Sequence, residues 1–416
     1  MYLRAGGIAG HIVIFAFPDF GHVKPLLGVT RSLVERGHRV TWVTDLRYEE
    51  LIRQAGGQLL GFSSTRPAFG SGPVVDEYDM GRLGLAYLAE TVDIVLPLAE
   101  LAFADDVPEL VLYDQESVLV ARTLMRRWNR RGLQVFPCVA SSTSYSLHEE
   151  VYDGEHPIVH EVVQLVKNFL AESGADPDDV WGLLTPWDEH NLVLLPRAFQ
   201  PRGDTFDDSY TFVGHCVDTG EPDRVPWSRP AESVVLVSLG TEAADDEFFR
   251  ACFEAFAGLR DRHAVLTLGP LHVGLDGADV PPNVERHSWL PHTSVLPFAD
   301  VFVTHGGMGS VVEALYFGVP MVIVPHTVEN WINARRLQEL GLGEILAPDE
   351  FTAESLADTV ARVGGDVEMR RRVSSMRAGA IADGGIPRAV RLIERLLGQW
   401  LEDETTERER NSVVNV

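Results

Sequence analysis

Apolar residues follow two rhythms along this chain, and the switches between them mark its elements. The run HIVIFAF, His11 to Phe17, is continuously apolar and of strand length, which predicts a buried strand. From Pro25 to Arg36 the apolar positions Leu26, Leu27, Val29 and Leu33 share one side of a helix, and Arg39 to Thr44 returns to strand. Strand, helix, strand predicts a right-handed crossover in a parallel sheet. Leu110 to Tyr113, Val135 to Ala140 and Leu192 to Leu195 are further short apolar runs that extend it. Between Glu149 and Glu189 the helical pattern is broken by Gly and Pro, as expected of an insertion that shapes a pocket.

After the strand-like YTFVG, Tyr210 to Gly214, the stretch HCVDTGEPDRVPWSRPAE is rich in Pro, Asp and Gly and reads as a linker. The pattern then restarts, with strands at Val234 to Ser238 and Ala264 to Leu268 around an amphipathic helix at Asp245 to Leu259. The chain is helical after Phe351, and Val390 to Trp400 is amphipathic. The closing EDETTERERNSVVNV is charged and then polar, which predicts a frayed or disordered tail. The expected organisation is α/β: a domain over 1–215, a linker over 216–232, a second domain over 233–388, a helix over 389–402 and a tail over 403–416.

A length of 416 residues suits two domains of ordinary size, and no apolar run is long enough to span a bilayer. The apolar N-terminal run continues as a strand and lacks a small-residue cleavage site, so no signal peptide is expected. Cys138, Cys216 and Cys252 are far apart and without metal spacing, which favours a reduced, cytoplasmic setting. The net charge of -26 argues against nucleic acid as a partner. An anionic ligand must therefore find positive potential in the site itself.

Such a site is written between His287 and Asn333. An apolar strand, Ala299 to Thr304, stops at His305-Gly306-Gly307, and a helical pattern begins near Met308. Glycines admit a ligand close to the backbone, and unpaired amides at the positive end of a helix attract anions, so a diphosphate is the expected guest. Trp289 offers a ring for a base, and Glu313, one turn into the helix, a carboxylate for both hydroxyls of a ribose. Glu329 and Asn330 follow the strand Met321 to Val324 and are placed to reach sugar hydroxyls. His305 either caps the helix or donates to the diphosphate, with Gly307, Gly309 and Ser310 adding contacts.

In the first half, PDFGHVKP lacks the G-x-G-x-x-G of a dehydrogenase-type dinucleotide site. It does place His22 beyond the end of a parallel strand, and Asp114 stands after the strand LVLY. Alone, the first reads as a packing residue and the second as a helix cap. Together they suit a base that takes an acceptor proton and a carboxylate that stabilises the imidazolium. Asp176-Pro177-Asp178 reads as loop and helix cap rather than a metal-binding D-x-D, and Arg126, Arg127, Arg130 and Arg131 as a solvated helix end.

Trp289-x-Pro291, Thr304-His305-Gly306-Gly307-x-Gly309-Ser310-x-x-Glu313-Ala314, Gly318-Val319-Pro320, Pro325 and Glu329-Asn330 together resemble the donor signature of the family 1 glycosyltransferases, which transfer sugar from a nucleotide diphosphate. GHVKP resembles the GHVNP of the macrolide glycosyltransferases, with Lys24 in place of Asn, and DDVPELVLYD and VVLVSLGT are similar to that branch too. The resemblance implies a GT-B fold: two Rossmann-like parallel-sheet domains facing a cleft, the first binding acceptor and the second nucleotide sugar, with the 389–402 helix crossing back to the first. It implies an inverting, metal-independent hexosyltransferase with His22 and Asp114 as catalytic dyad. It also places Gly240 and Thr241 against the phosphates and Leu290 and His292 near the base. The implied donor is a UDP-sugar, with UDP-glucose the default, and no cofactor is expected. The implied acceptor is a lipophilic natural product such as a macrolide, and the implied protein a monomer or homodimer. Two departures matter: Glu329-Asn330 replaces the usual acid-Gln pair, and His292 stands where Gln is usual.

A non-catalytic binder of a nucleotide sugar or natural product is the competing reading, and retention of both His22 and Asp114 weighs against it. A GT-B sugar-nucleotide epimerase is a third, but its acid constellation for water chemistry is not identifiable.

Overall fold

The computed structural model describes residues 9–65, 77–152, 155–218, 227–229, 233–240, 245–269 and 279–414. Seven strands, β1 (His11–Phe15), β2 (Arg39–Asp45), β3 (Gln58–Phe62), β4 (Leu110–Asp114), β5 (Gly132–Phe136), β6 (Asn191–Val193) and β7 (Tyr210–Phe212), form one sheet in the order β3-β2-β1-β4-β5-β6-β7. Six more, β8 (Ser233–Ser238), β9 (Arg262–Thr267), β10 (Val284–His287), β11 (Val301–Thr304), β12 (Met321–Ile323) and β13 (Gly343–Ile345), form a second in the order β10-β9-β8-β11-β12-β13. Every pairing is parallel, so helices must cover both faces.

The core follows from strand alternation. Ile12 and Ile14 of β1 and Leu110 and Leu112 of β4 face one side, where Leu26, Val29 and Leu33 of the Phe20–Glu35 helix meet them. Val13, Phe15, Val111 and Tyr113 face the other, against Leu119, Leu124 and Val166. The last helix, Gly385–Val414, packs Val390, Ile393, Leu397 and Trp400 onto the first face. Each such side chain contributes about 1.5–3 kcal/mol when fully buried. Gly28 allows this docking, since a Cβ there would stand 2.5 Å from Ile386. The helix continues through residues 403–414, where the charged composition predicts a frayed tail. A helix already nucleated by packing adds residues at little cost, and Glu and Arg are good helix formers.

Each sheet has one point where the chain's progress across it reverses, between β1 and β4 in the first and between β8 and β11 in the second. Register brings Phe15 level with Tyr113, and Ser238 level with Thr304. Ligands of open α/β sheets lie beyond the carboxyl ends of strands at such points. Here the segments leaving both points line one cleft of about 950 Å³.

Candidate active site

The first-domain wall begins where β1 ends. Asp19 caps the Phe20–Glu35 helix by accepting from the Gly21 amide at 2.7 Å, which starts the helix at the cleft and carries Phe20, His22 and Lys24 into it. Asp114 ends β4 and is 1% exposed. Its Oδ2 lies 2.8 Å from His22 Nδ1 and accepts from the Phe17 amide at 2.6 Å, while Oδ1 accepts from the Glu116 and Ser117 amides at 3.1 and 2.9 Å. Asp114 thus ties down the turn after β4 and holds the His22 ring, while the cap position of the next helix, Val118–Trp128, is Ser117. Burial would depress the His22 pKa, but the Asp114 charge and hydrogen bond, with Asp19 and Glu116 behind them, outweigh it and raise the value to about 9. With Nδ1 turned to Asp114, Nε2 is the nitrogen available to the cleft.

The second-domain wall is built from the strand ends of the other sheet. Gly306 has φ +87°, a left-handed turn for which glycine is suited, and Gly307 then opens the Met308–Phe317 helix. Gly307 and Gly309, together with Ser310, line the cleft at the amino end of that helix. Gly240 and Gly307 cradle the His305 ring: a Cβ would come within 2.7 Å of Cε1 at the first and 2.3 Å of Nε2 at the second. His305 is pushed down to about 3 by burial and by the neighbouring His326 and His292, so it is neutral. Its Nδ1 has no hydrogen-bond partner among the described residues. Thr241 lies outside the described residues.

Glu313, read from sequence as a carboxylate open to a ribose, is already engaged. Lys24 Nζ donates to its Oε1 at 2.6 Å from across the cleft, and His292 Nδ1 is 3.0 Å from Oε2. Burial opposes ionisation, but Lys24 and then His292 hold the carboxyl down at about 2. Trp289 is 51% exposed, and Phe20 meets it edge-on at 5.7 Å between ring centroids. Leu290 is buried and borders the same space.

Asn330 lines the cleft as well, but its side-chain oxygen is taken up by the fold. Its Oδ1 accepts from the His326 and Thr327 amides at 3.3 and 3.2 Å, closing a capping box with Thr327 at the start of the Val328–Glu339 helix. A Thr three residues before Asn carries that signal, so the structural use was legible. Glu329 stands beside it in the cleft, raised by burial although the His22 charge opposes the shift. His326, not singled out from sequence, lines the same wall, with Nδ1 2.7 Å from the Val324 carbonyl and Nε2 3.9 Å from Asp245. It stands just beyond a parallel strand, the signal that identified His22.

Apolar residues of the inserted helices Glu77–Glu90 and Pro157–Glu172, among them Leu83, Leu88, Val159 and Val163, form the remaining wall. Asp176 and Asp178 are exposed and form a local turn, the Asp178 amide donating to Asp176 at 3.0 Å. The arginine run is paired rather than merely solvated: Arg126 bonds Asp179 and the Gly182 carbonyl, Arg127 bonds Glu100, and Arg130 bonds the Pro108 carbonyl. None of the described helices is long and apolar enough to cross a membrane.

A family model described as "Erythromycin biosynthesis protein CIII-like, C-terminal domain" matches residues 257–396. The chain is 36% identical to oleandomycin glycosyltransferase of Streptomyces antibioticus, over 92% of this chain and 90% of that protein. It is also 36% identical to demethyllactenocin mycarosyltransferase of Streptomyces fradiae, over 93% of this chain and 86% of that one. The crystal structure of CalG4, the calicheamicin glycosyltransferase, superposes with a TM-score of 0.81 at 33% identity, covering 94% of this chain and 99% of the other.

Proposed function

This chain belongs to the family 1 GT-B macrolide glycosyltransferases, and from that premise we propose that it transfers a hexose, glucose by default, from a UDP-sugar to a hydroxyl of a lipophilic natural product such as a macrolide. The observation that carries the reading is the His22–Asp114 contact of 2.8 Å, which faces the amino end of the Met308–Phe317 helix across the cleft. His22 Nε2 takes the acceptor proton as the oxygen attacks the anomeric carbon. The bond from that carbon to the diphosphate oxygen breaks on the opposite side, the nucleotide leaves with the electron pair, and configuration inverts. Asp114 stabilises the imidazolium that forms.

A His22 pKa of about 9 means that the resting imidazole is charged at neutral pH and must lose a proton before each turnover. A lipophilic acceptor seated on the apolar wall displaces water, which favours the neutral ring. On the donor side, helix amides, Ser310 and His305 supply the hydrogen bonds that a leaving diphosphate requires, without a metal ion. Glu313 reads the ribose hydroxyls, which favours UDP over a deoxyribonucleotide.

Mass spectrometry tests this with macrolide, flavonoid and phenol acceptors, UDP-glucose or a thymidine-diphosphate sugar, and chelator present or absent. The expected product is a hexose adduct from UDP-glucose that survives chelator and disappears in His22→Ala. An adduct retained by the variant removes His22 from the mechanism. Donor binding without product from any acceptor favours a non-catalytic binder.

A further inference from the structure

One turn of the first-domain helix reaches the positions read above as the nucleoside site of the second domain. Phe20 meets the Trp289 ring edge-on, and Lys24, four residues later, sits on Glu313 at 2.6 Å. The two side chains also meet each other, with Lys24 Nζ 5.5 Å from the centre of the Phe20 ring. Lys24 is the one lysine or arginine among the described residues that line the cleft. Asp19, Glu116, Asp218, Glu313 and Glu329 line it too, in a chain of net charge -26. A diphosphate brought there meets an acidic environment whose one lysine is already paired.

We propose that Lys24 is an exchanging counterion: it holds Glu313 while the donor is absent, and passes to the donor diphosphate when the ribose hydroxyls take the carboxylate. The idea rests on Glu313 as the ribose site. The carboxylate does not stand alone when the lysine leaves, because His292 keeps its contact with Oε2. The lysine gives up one anion for another at the neighbouring end of the same ligand, and its flexible four-carbon stem permits the move. The exchange makes the first domain sense the donor through charge, and it places a cation where negative charge develops as the sugar bond breaks.

Calorimetric titration of wild type, Lys24→Met and Lys24→Arg with UDP and with uridine separates the two halves of the exchange. Lys24→Met is expected to weaken UDP about tenfold or more, the scale of a lost charge-assisted contact. It should leave uridine as tight or tighter, since uridine no longer competes with the ammonium. Lys24→Arg should keep UDP within a few-fold and controls for misfolding. Undiminished UDP binding by folded Lys24→Met overturns the proposal, as does an equal loss for both ligands. If the wild type binds thymidine diphosphate and not UDP, the ribonucleotide reading fails, and the same comparison made with thymidine diphosphate and thymidine then decides the role of Lys24.

Discussion

Arg122 donates to the main-chain carbonyl of Trp187 at 2.7 Å, so a buried side chain of the helix behind β4 holds a loop that lines the cleft. The same guanidinium donates to the carbonyls of Leu183 and Thr185, to Gln134 Oε1 and to the Tyr113 hydroxyl. It is 7% exposed. Replacing Arg122 with Met removes every one of these donors and strands the buried Leu183 carbonyl, at a cost of about 1–3 kcal/mol, along with the half-buried carbonyls of Thr185 and Trp187. The expected result is a thermal midpoint several degrees lower and a raised acceptor KM, with donor affinity retained. Equal losses for donor and acceptor would show that the loop does not belong to the acceptor wall.

The His22–Asp114 pair sets a pH profile. With His22 as the proposed base, its raised pKa of about 9 predicts that kcat/KM climbs with pH until that region, because only the neutral imidazole can take a proton. Asp114→Asn removes the charge that raises the value, so the rising limb should move to lower pH while the maximal rate falls by about 1,000-fold or more. In linkage terms the pair's contribution to stability is full below the ordinary histidine value of 6.5 and is lost as pH rises through about 9. Identical pH limbs in wild type and Asp114→Asn would contradict the assignment.

His215 is 4% exposed, and neither ring nitrogen has a hydrogen-bond partner among the described residues. Burial pushes its pKa down to about 3. The unfolded chain takes up a proton below pH 6.5 and the folded chain does not, so stability is full above 6.5 and falls as pH drops toward 3. The loss at pH 5 should be about 2 kcal/mol. His215→Leu should flatten that part of the curve of thermal midpoint against pH, and an unaltered curve would place the acid sensitivity elsewhere.

Two glycines of the donor loop should respond differently to alanine. At Gly307 the added Cβ meets His305 Nε2 at 2.3 Å, so Gly307→Ala should displace that ring and weaken both stability and donor binding. At Gly309 nothing lies within 4 Å of the added carbon. Gly309→Ala should therefore melt like wild type, or slightly higher, since alanine favours a helix by about 1 kcal/mol over glycine. It should nonetheless lose donor affinity, because the proposed donor site brings the diphosphate into that open space. Full donor affinity in Gly309→Ala would move the phosphate site off this helix.

Much of this architecture is legible in the chain because its signals are local. The apolar run ending in His305-Gly306-Gly307 lies within one strand, turn and helix, and so do the first strand and His22. Backbone rules act over a few residues, so such segments declare themselves without knowledge of their neighbours. The occupant of each side chain is a different matter. Glu313 and Lys24 are 289 residues apart, and only the facing of two sheets brings them to 2.6 Å. Arg122 looks like one more polar residue of an amphipathic helix until the helix end and loop over 183–187 fold over it. Asn330 reads as a sugar ligand in isolation, and packing commits its oxygen to a helix cap. Periodicity and motif spacing, then, determined which elements form and where the strand, glycine turn and helix start that suit an anion lie. Tertiary structure decided which charges meet there, because Coulomb and hydrogen-bond energies depend on distance in space, and sequence separation carries no such distance.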